Sequence, residues 1–151
     1  MPSNAVIESS TSPKKGARKR VGVPTRAKTP SRSKLVKLAD KLTSLFVRAK
    51  YRDSDGLVSC YTCTYRGAII HCGHYISRTY KYSRLDLDNL RAQCFMCNVI
   101  KKGCAHLFRE NLVNEIGEER VKAIEAKAKL IFKEKDDFIL AIIAKYETTP
   151  H

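Results

Sequence analysis

The sequence predicts a small α+β domain in which helices precede and follow a short, cysteine-rich β-hairpin. Three observations favour this fold: two Cys-x-x-Cys pairs with a long insert between them, short apolar stretches beside the pairs, and apolar residues at helical spacing on both sides. A chain of 151 residues is long enough for one such domain and a tail. We therefore divide it into an arm, residues 1–33, and a folded domain, residues 34–147.

The arm is rich in Ser, Thr, Pro, Lys and Arg and has few large apolar side chains. Such a segment buries too little surface to offset the entropy that it loses on ordering, so we predict a disordered basic arm. The run KKGARKR (residues 14–20) can follow the phosphates of DNA or serve only as a solubilising tail. The net charge of +14 favours a polyanion as partner, and nucleic acid is the commonest one.

Helical spacing frames the domain. Residues 34–50 are predicted to form a helix with Ser33 as its N-cap. Its predicted apolar stripe consists of Leu35, Leu38, Leu42, Leu45, Phe46 and Ala49. A second helix is predicted over residues 104–115, ended by Gly117, and a third from about Glu118 to Tyr146 with a break near residues 133–137.

The centre of the chain predicts short strands. Leu57 and Val58 start one strand, residues 66–72 form a second that bends at Gly73, and residues 87–93 form a turn or short strand. Residues 77–88 show no period and are predicted to be an irregular loop.

The two cysteine pairs carry the strongest motif. Cys60, Cys63, Cys94 and Cys97 can hold one Zn²⁺ tetrahedrally, which makes the metal a structural staple. No apolar run is long enough for a signal peptide or a membrane span, so we expect a cytoplasmic protein without membrane contact. In that compartment paired cysteines favour zinc, with a disulfide framework as the alternative. Cys72 and Cys104 have no partner at this spacing and are expected to be buried thiols.

Closing the zinc site would bring His74, Asn89 and Asn98 into one neighbourhood. Hydrolysis of a phosphodiester needs a base for water, a group that orients the base, and a cation at the phosphate. Histidine suits the base, and asparagine can orient it or bind a hard cation such as Mg²⁺. The constellation therefore indicates a nuclease site of His-Asn-Asn type.

These residues resemble a known pattern. Gly73-His74, Asp88-Asn89-Leu90 and Cys94-Phe95-Met96-Cys97-Asn98, with Lys101, resemble HNH endonucleases, which have a ββα-metal fold. GHYISR (residues 73–78), residues 89–98, Gly103 and Ile116-Gly117 closely resemble the NinG/Rap recombination proteins of lambdoid phages. The resemblance covers about residues 34–128, and it narrows the predicted fold to a zinc-stabilised, HNH-like ββα-metal core flanked by helices.

The resemblance implies a structure-selective endonuclease in phage recombination that cuts Holliday junctions and D-loops in the host cell cytoplasm. His74 would be the general base, Asn89 would orient it, and Asn98 would lie at a catalytic Mg²⁺ or Mn²⁺. Many HNH sites have an acid where this chain has Gly73. Either His71 supplies a metal ligand instead, or the metal is held by fewer protein groups and His71 is a histidine on the strand surface.

Basic residues interleave with tyrosines in this region, a pattern that suits phosphate contact and base stacking. The predicted DNA-binding residues are Arg78, Lys81, Arg84, Arg91, Lys101 and Lys102. The alternative function is a non-catalytic zinc module that binds branched or single-stranded DNA. Cleavage of two strands would suit a symmetric homodimer.

Overall fold

The computed structural model describes residues 30–131 and 136–148, and the fold is α+β as predicted. The elements are α1 (Arg32–Lys50), β1 (Val58–Ser59), β2 (Arg66–Gly67), β3 (His71–His74), β4 (Leu90–Gln93), α2 (Ala105–Ile116), α3 (Glu118–Ala128) and α4 (Asp136–Glu147). Nearly all of the predicted arm lies outside the described residues, as do residues 132–135 of the predicted third helix.

Helix α1 differs from its prediction in two ways. It begins at Arg32 and is capped by Ser31, so the predicted cap at Ser33 and the boundary at residue 34 are both too late. Its buried residues are Leu35, Ala39, Thr43 and Val47, which are spaced four apart. The predicted stripe is therefore rotated, because Leu38 is 37% exposed while small or β-branched residues face the interior.

The strands form two small antiparallel sheets. β1 pairs with β2, and β3 pairs with β4 in a register that places His71 opposite Gln93 and His74 opposite Leu90. The strands predicted at Val58 and within residues 87–93 are confirmed. The strand predicted over residues 66–72 is instead divided between β2 and β3, because the first part pairs with β1 and the second with β4.

Three apolar clusters support these elements. One lies around the cysteine pairs and includes Val58, Ile70 and Ala92. A second joins α1 to α4, and a third joins α2 to α3 around Phe108. Gly117, at φ +86°, ends α2 and bonds the carbonyl of Val113, a backbone conformation that favours glycine.

The third predicted helix is two helices. α3 ends at Ala128, and α4 begins at Asp136 and packs against α1 through its own apolar face. The helix therefore ends before the predicted break. None of the helices in the described part of the chain is long and apolar enough to cross a membrane.

Candidate metal centre and histidine cleft

The two cysteine pairs converge as the sequence predicts. Cys60 and Cys63 lie in the turn between β1 and β2, and Cys94 and Cys97 follow β4 directly. Their four Sγ atoms all lie within 4.8 Å of one another, and they are the one such group among the described residues. Four thiolates at these separations fit a tetrahedral Zn²⁺.

Backbone hydrogen bonds hold the sulfurs in place. The amide of Cys94 donates to Cys60 Sγ at 3.3 Å, and the amide of Cys97 donates to Cys94 Sγ at 3.4 Å. Burial raises the pKa of the Cys60 thiol, but the hydrogen bonds that it accepts from the Cys94 amide and from Thr62 outweigh burial and lower the pKa to about 7. A thiolate is the form that binds metal, so Cys60 is the cysteine best prepared for a cation. Burial and the neighbouring cysteines raise the pKa of Cys63 to about 12, and burial raises the pKa of Cys94, so a bound cation would have to displace protons from these thiols.

The disulfide alternative is wrong. All six cysteines are free thiols, and the Sγ atoms of Cys63 and Cys94 lie 3.7 Å apart, far beyond a covalent S–S distance of about 2 Å. Cys72 is partly buried, and burial raises its pKa to about 12, so at neutral pH it remains an unreactive thiol.

Beside the metal centre lies a cleft of about 680 Å³, which we call the histidine cleft. Its walls come from α1, from β3 and the loop after it, and from the helical turn Met96–Ile100. It brings together three of the residues predicted for catalysis or for the catalytic cation, namely His71, His74 and Asn98. Neighbouring residues of β3, such as His71 and Cys72, point to opposite faces of the sheet, and both line the cleft. The cleft therefore lies along the edge of β3 that is not paired with β4.

His74 is mostly buried, and its ring is held by the backbone. Nε2 lies 3.2 Å from the carbonyl oxygen of Arg84. A carbonyl only accepts, so Nε2 carries the proton and Nδ1 is left as the acceptor. Burial, together with the positive charge of Arg78, lowers the pKa of His74 from its ordinary value of 6.5 to about 4. His74 is therefore neutral at pH 7.

Asn89 does not hold this ring directly, which corrects the predicted contact. Its side chain is fully buried, accepts from the amide of Ile76 at 2.7 Å, and donates to the carbonyls of Ile76 and Ser83 at 3.0 and 2.9 Å. These bonds fasten both ends of the loop between β3 and β4. Since that loop also carries the Arg84 carbonyl, Asn89 positions His74 through the backbone.

Two predicted DNA-binding residues are engaged inside the protein. The Arg91 side chain is 4% exposed and bonds Glu115 at 2.8 Å, so it cannot reach a phosphate and its assignment to DNA is wrong. Arg84 is half-buried and makes two hydrogen bonds to Asp40, at 2.8 and 2.5 Å. Each of these arginines is therefore paired with an acid from a helix, Glu115 of α2 for Arg91 and Asp40 of α1 for Arg84.

The remaining predicted cations are exposed. Arg78 and Lys102 line the histidine cleft, Lys101 precedes Lys102, and Lys81 lines a separate groove between α1 and α4. A further cation, Arg48 of α1, also lines the cleft and was not among the predicted DNA-binding residues. The sequence could not show that Arg48 lies at the cleft, because its position there depends on the packing of α1 against β3. Its Nε donates to the carbonyl of Ser44, one turn earlier in α1.

The fold and the site define a small α+β protein with a four-cysteine cluster that could bind a structural metal, beside a basic histidine cleft. The family model described as bacteriophage lambda NinG protein matches residues 8–149, so the chain belongs to the NinG family.

Individual relatives agree with this assignment. The chain is 35% identical to protein ninG of Escherichia phage 933W over 96 residues, which cover 63% of this chain and 46% of that protein. It is 33% identical to protein ninG of Escherichia phage lambda over the same length and shares. The match thus spans less than half the length of these relatives. No solved structure matches the chain.

Proposed function

We propose that the protein is a metal-dependent, structure-selective endonuclease in phage recombination, which hydrolyses phosphodiesters of branched DNA such as Holliday junctions and D-loops. The histidine cleft carries the proposal. It contains a histidine that is neutral at pH 7, three cations (Arg48, Arg78 and Lys102), and no Asp or Glu among the described residues that line it. A cleft with this charge is suited to a phosphate diester.

The general base of the proposal is Nδ1 of His74, since the Arg84 carbonyl occupies Nε2. A pKa of about 4 makes a weak base at pH 7. A bound phosphate would place negative charge beside the ring and raise this pKa, because an anion favours the imidazolium form. The base therefore becomes stronger when the substrate enters, and it can accept a proton from the attacking water.

The order of elements also supports the HNH-like interpretation. β3 ends at His74, β4 follows a loop fixed by Asn89, and the helical turn Met96–Ile100 then carries Asn98. This is a strand, strand and helical turn in the order of a ββα-metal site. Gly73 occupies the position of the usual acid because the buried side chain of Gln93 fills the space beside it.

The Asn98 carboxamide and a His71 nitrogen could hold a divalent cation that takes its other ligands from phosphate and water. Such a cation, Mg²⁺ or Mn²⁺, would neutralise charge on the phosphate. The scarcity of oxygen ligands favours one competing function, a non-catalytic zinc module that binds branched or single-stranded DNA. We rank it second because a binding module needs no buried, neutral histidine.

A cleavage assay separates the two functions. Synthetic four-way junctions are incubated with the zinc-loaded protein and added Mg²⁺ or Mn²⁺. His74→Ala is expected to cleave about 100-fold more slowly, as is typical when a general base is removed, while its affinity for the junction changes little. The matched control is His106→Ala, an exposed histidine on α2 outside the cleft.

Equal cleavage by His74→Ala and the wild type would refute the proposed base. Binding of junctions without cleavage under either metal would instead favour the non-catalytic module. Zinc content and thermal unfolding of each variant establish that a loss of cleavage is not a loss of fold.

A further inference from the structure

Next to the histidine cleft the protein exposes an unusual group of apolar side chains. Ile69, Phe95, Met96, Val99 and Ile100, which we call the apolar face, are each between 47% and 78% exposed. Four of the five lie on the single helical turn that begins after Cys94. Large apolar side chains that cluster on a surface usually mark a binding site.

The face is continuous with the cleft. The Phe95 ring packs edge-on against the ring of His71, with centroids 5.8 Å apart. Ile69 and Val99 belong to the apolar face and also line the cleft. A ligand that fills the cleft would therefore extend directly onto the apolar face.

The surroundings are basic. Lys101 and Lys102 follow the face directly in sequence and are exposed, and the sequence has no Asp or Glu at residues 56–85 or 89–109. A second copy of the chain docked symmetrically here would bring these lysines close to their own copies. This like-charge contact disfavours self-association and favours an anionic partner that also offers flat apolar groups.

We propose that the apolar face stacks unpaired bases of a DNA strand whose phosphates lie in the histidine cleft. The proposal rests on the DNA binding of the proposed function and assigns selectivity for unpaired DNA to these side chains. Bases present flat apolar surfaces once they are unpaired, and aromatic side chains stack on them with little regard to sequence. In paired DNA the same surfaces are covered by neighbouring bases, so the face distinguishes the two forms.

The test measures binding without cleavage. Fluorescence anisotropy is recorded for the zinc-loaded protein without added Mg²⁺ or Mn²⁺. The labelled DNAs are a duplex, a duplex with a central unpaired bubble, and the corresponding single strand. Phe95→Ala is the main variant, and Phe95→Tyr retains a ring. Leu140→Ala, on α4 outside the apolar face and 46% exposed, is the matched control.

Phe95→Ala is expected to weaken binding of the bubble and the single strand about tenfold, within the range for loss of one aromatic stack, and to change duplex binding less than twofold. Phe95→Tyr and Leu140→Ala should bind as the wild type does. A 2-aminopurine placed in the bubble gives a second readout, because its fluorescence should change when wild-type protein binds and respond less to Phe95→Ala.

Two binding results would overturn the proposal: Phe95→Ala binds the bubble as tightly as the wild type does, or it binds all three DNAs more weakly by the same factor. A third contrary result would come from sedimentation, if the wild type is a dimer, Phe95→Ala is not, and Phe95→Ala keeps the DNA preference of the wild type. The last outcome would assign the face to a second copy of the chain. If the wild-type protein prefers the bubble but does not cleave junctions in the cleavage assay, the nuclease proposal alone is refuted. The two failures are therefore distinguishable.

Discussion

Replacement of Gly73 by alanine is predicted to destabilise the protein through one buried contact. A Cβ atom at this position would lie 2.2 Å from Oε1 of Gln93 and 2.7 Å from its Cδ. The Gln93 side chain is fully buried, and its Nε2 donates to Thr62 Oγ1 and to the Gly103 carbonyl, both at 2.9 Å. It can move aside only by breaking hydrogen bonds that link the cysteine turn to the chain after Asn98.

The magnitude follows from opposing contributions. Forcing an additional carbon into a packed interior costs about 1–3 kcal/mol, and loss of one hydrogen bond costs about 1 kcal/mol. Alanine returns roughly 0.5–1 kcal/mol, because glycine loses more backbone entropy on entering a strand. The expected net loss for Gly73→Ala is therefore about 2 kcal/mol.

Gly67 provides a matched control in β2. A Cβ there would meet the Tyr65 hydroxyl at 2.3 Å, but Tyr65 is 44% exposed and can swing into solvent. Gly67→Ala is expected to change the free energy of unfolding by no more than about 0.5 kcal/mol. The two glycines thus have similar contact distances and differ in whether the contacted side chain can move.

Urea unfolding at a fixed excess of zinc measures both variants, since bound metal itself adds stability. In a Gln93→Ala background the cost of Gly73→Ala should fall by about 1–2 kcal/mol, because the contacted atoms are gone. A Gly73→Ala protein as stable as the wild type would refute the reasoning, as would an equal cost for Gly67→Ala. Confirmation would explain why an acid is absent at this position.

Three further predictions follow from the site. The pKa of His74 is about 4 in the folded state and 6.5 ordinarily, so between these pH values His74 is protonated in the unfolded chain and neutral in the folded chain. The resulting stability is present above pH 6.5 and is lost as the pH falls toward 4, by about 3 kcal/mol, so urea unfolding of His74→Gln across this range should show a flatter profile. Lys102→Ala should reduce the slope of log affinity for DNA against log salt by about 1. Arg91→Met should leave this slope unchanged and cost about 2 kcal/mol of stability, because the carbonyls of Leu87 and Leu90 lose their donor; equal slopes for the two variants would contradict the assignment of Arg91 to the interior. Cys94→Ser should abolish binding of one zinc per chain, measured by metal analysis, while Cys104→Ser retains it; zinc retained in Cys94→Ser would exclude the four-cysteine site.

The α+β class, the clustering of the four cysteines and several element positions could be predicted because they rest on local chemistry. A Cys-x-x-Cys pair presents two sulfurs from one turn, so two such pairs supply all four ligands of a tetrahedral metal site wherever the fold places them side by side. Val58 and residues 90–93 are strand residues in the sequence and in the structure. Gly117 ends α2 because glycine adopts a positive φ readily by itself, with no need for a partner elsewhere in the chain.

Side-chain environments could not be predicted because they depend on distant partners. Arg91 and Arg84 appear equivalent to Arg78 in the sequence, but Glu115 and Asp40 neutralise the first two. These acids lie 24 and 44 residues away along the chain. Charge alone therefore marks a basic region without showing which cations face a ligand.

Residue types and their spacing were enough to predict that four cysteines come together in a site that could bind a metal, that the chain is basic, and that His74, Asn89 and Asn98 belong to one region. Their environments could be known only from the folded chain: a backbone carbonyl holds the ring of His74, burial lowers its pKa, and Asn89 binds the loop that carries that carbonyl. The physical reason is that desolvation and hydrogen-bond geometry arise from the packing of α1 and the β3–β4 loop around the histidine. Residue types and spacings alone do not specify that packing.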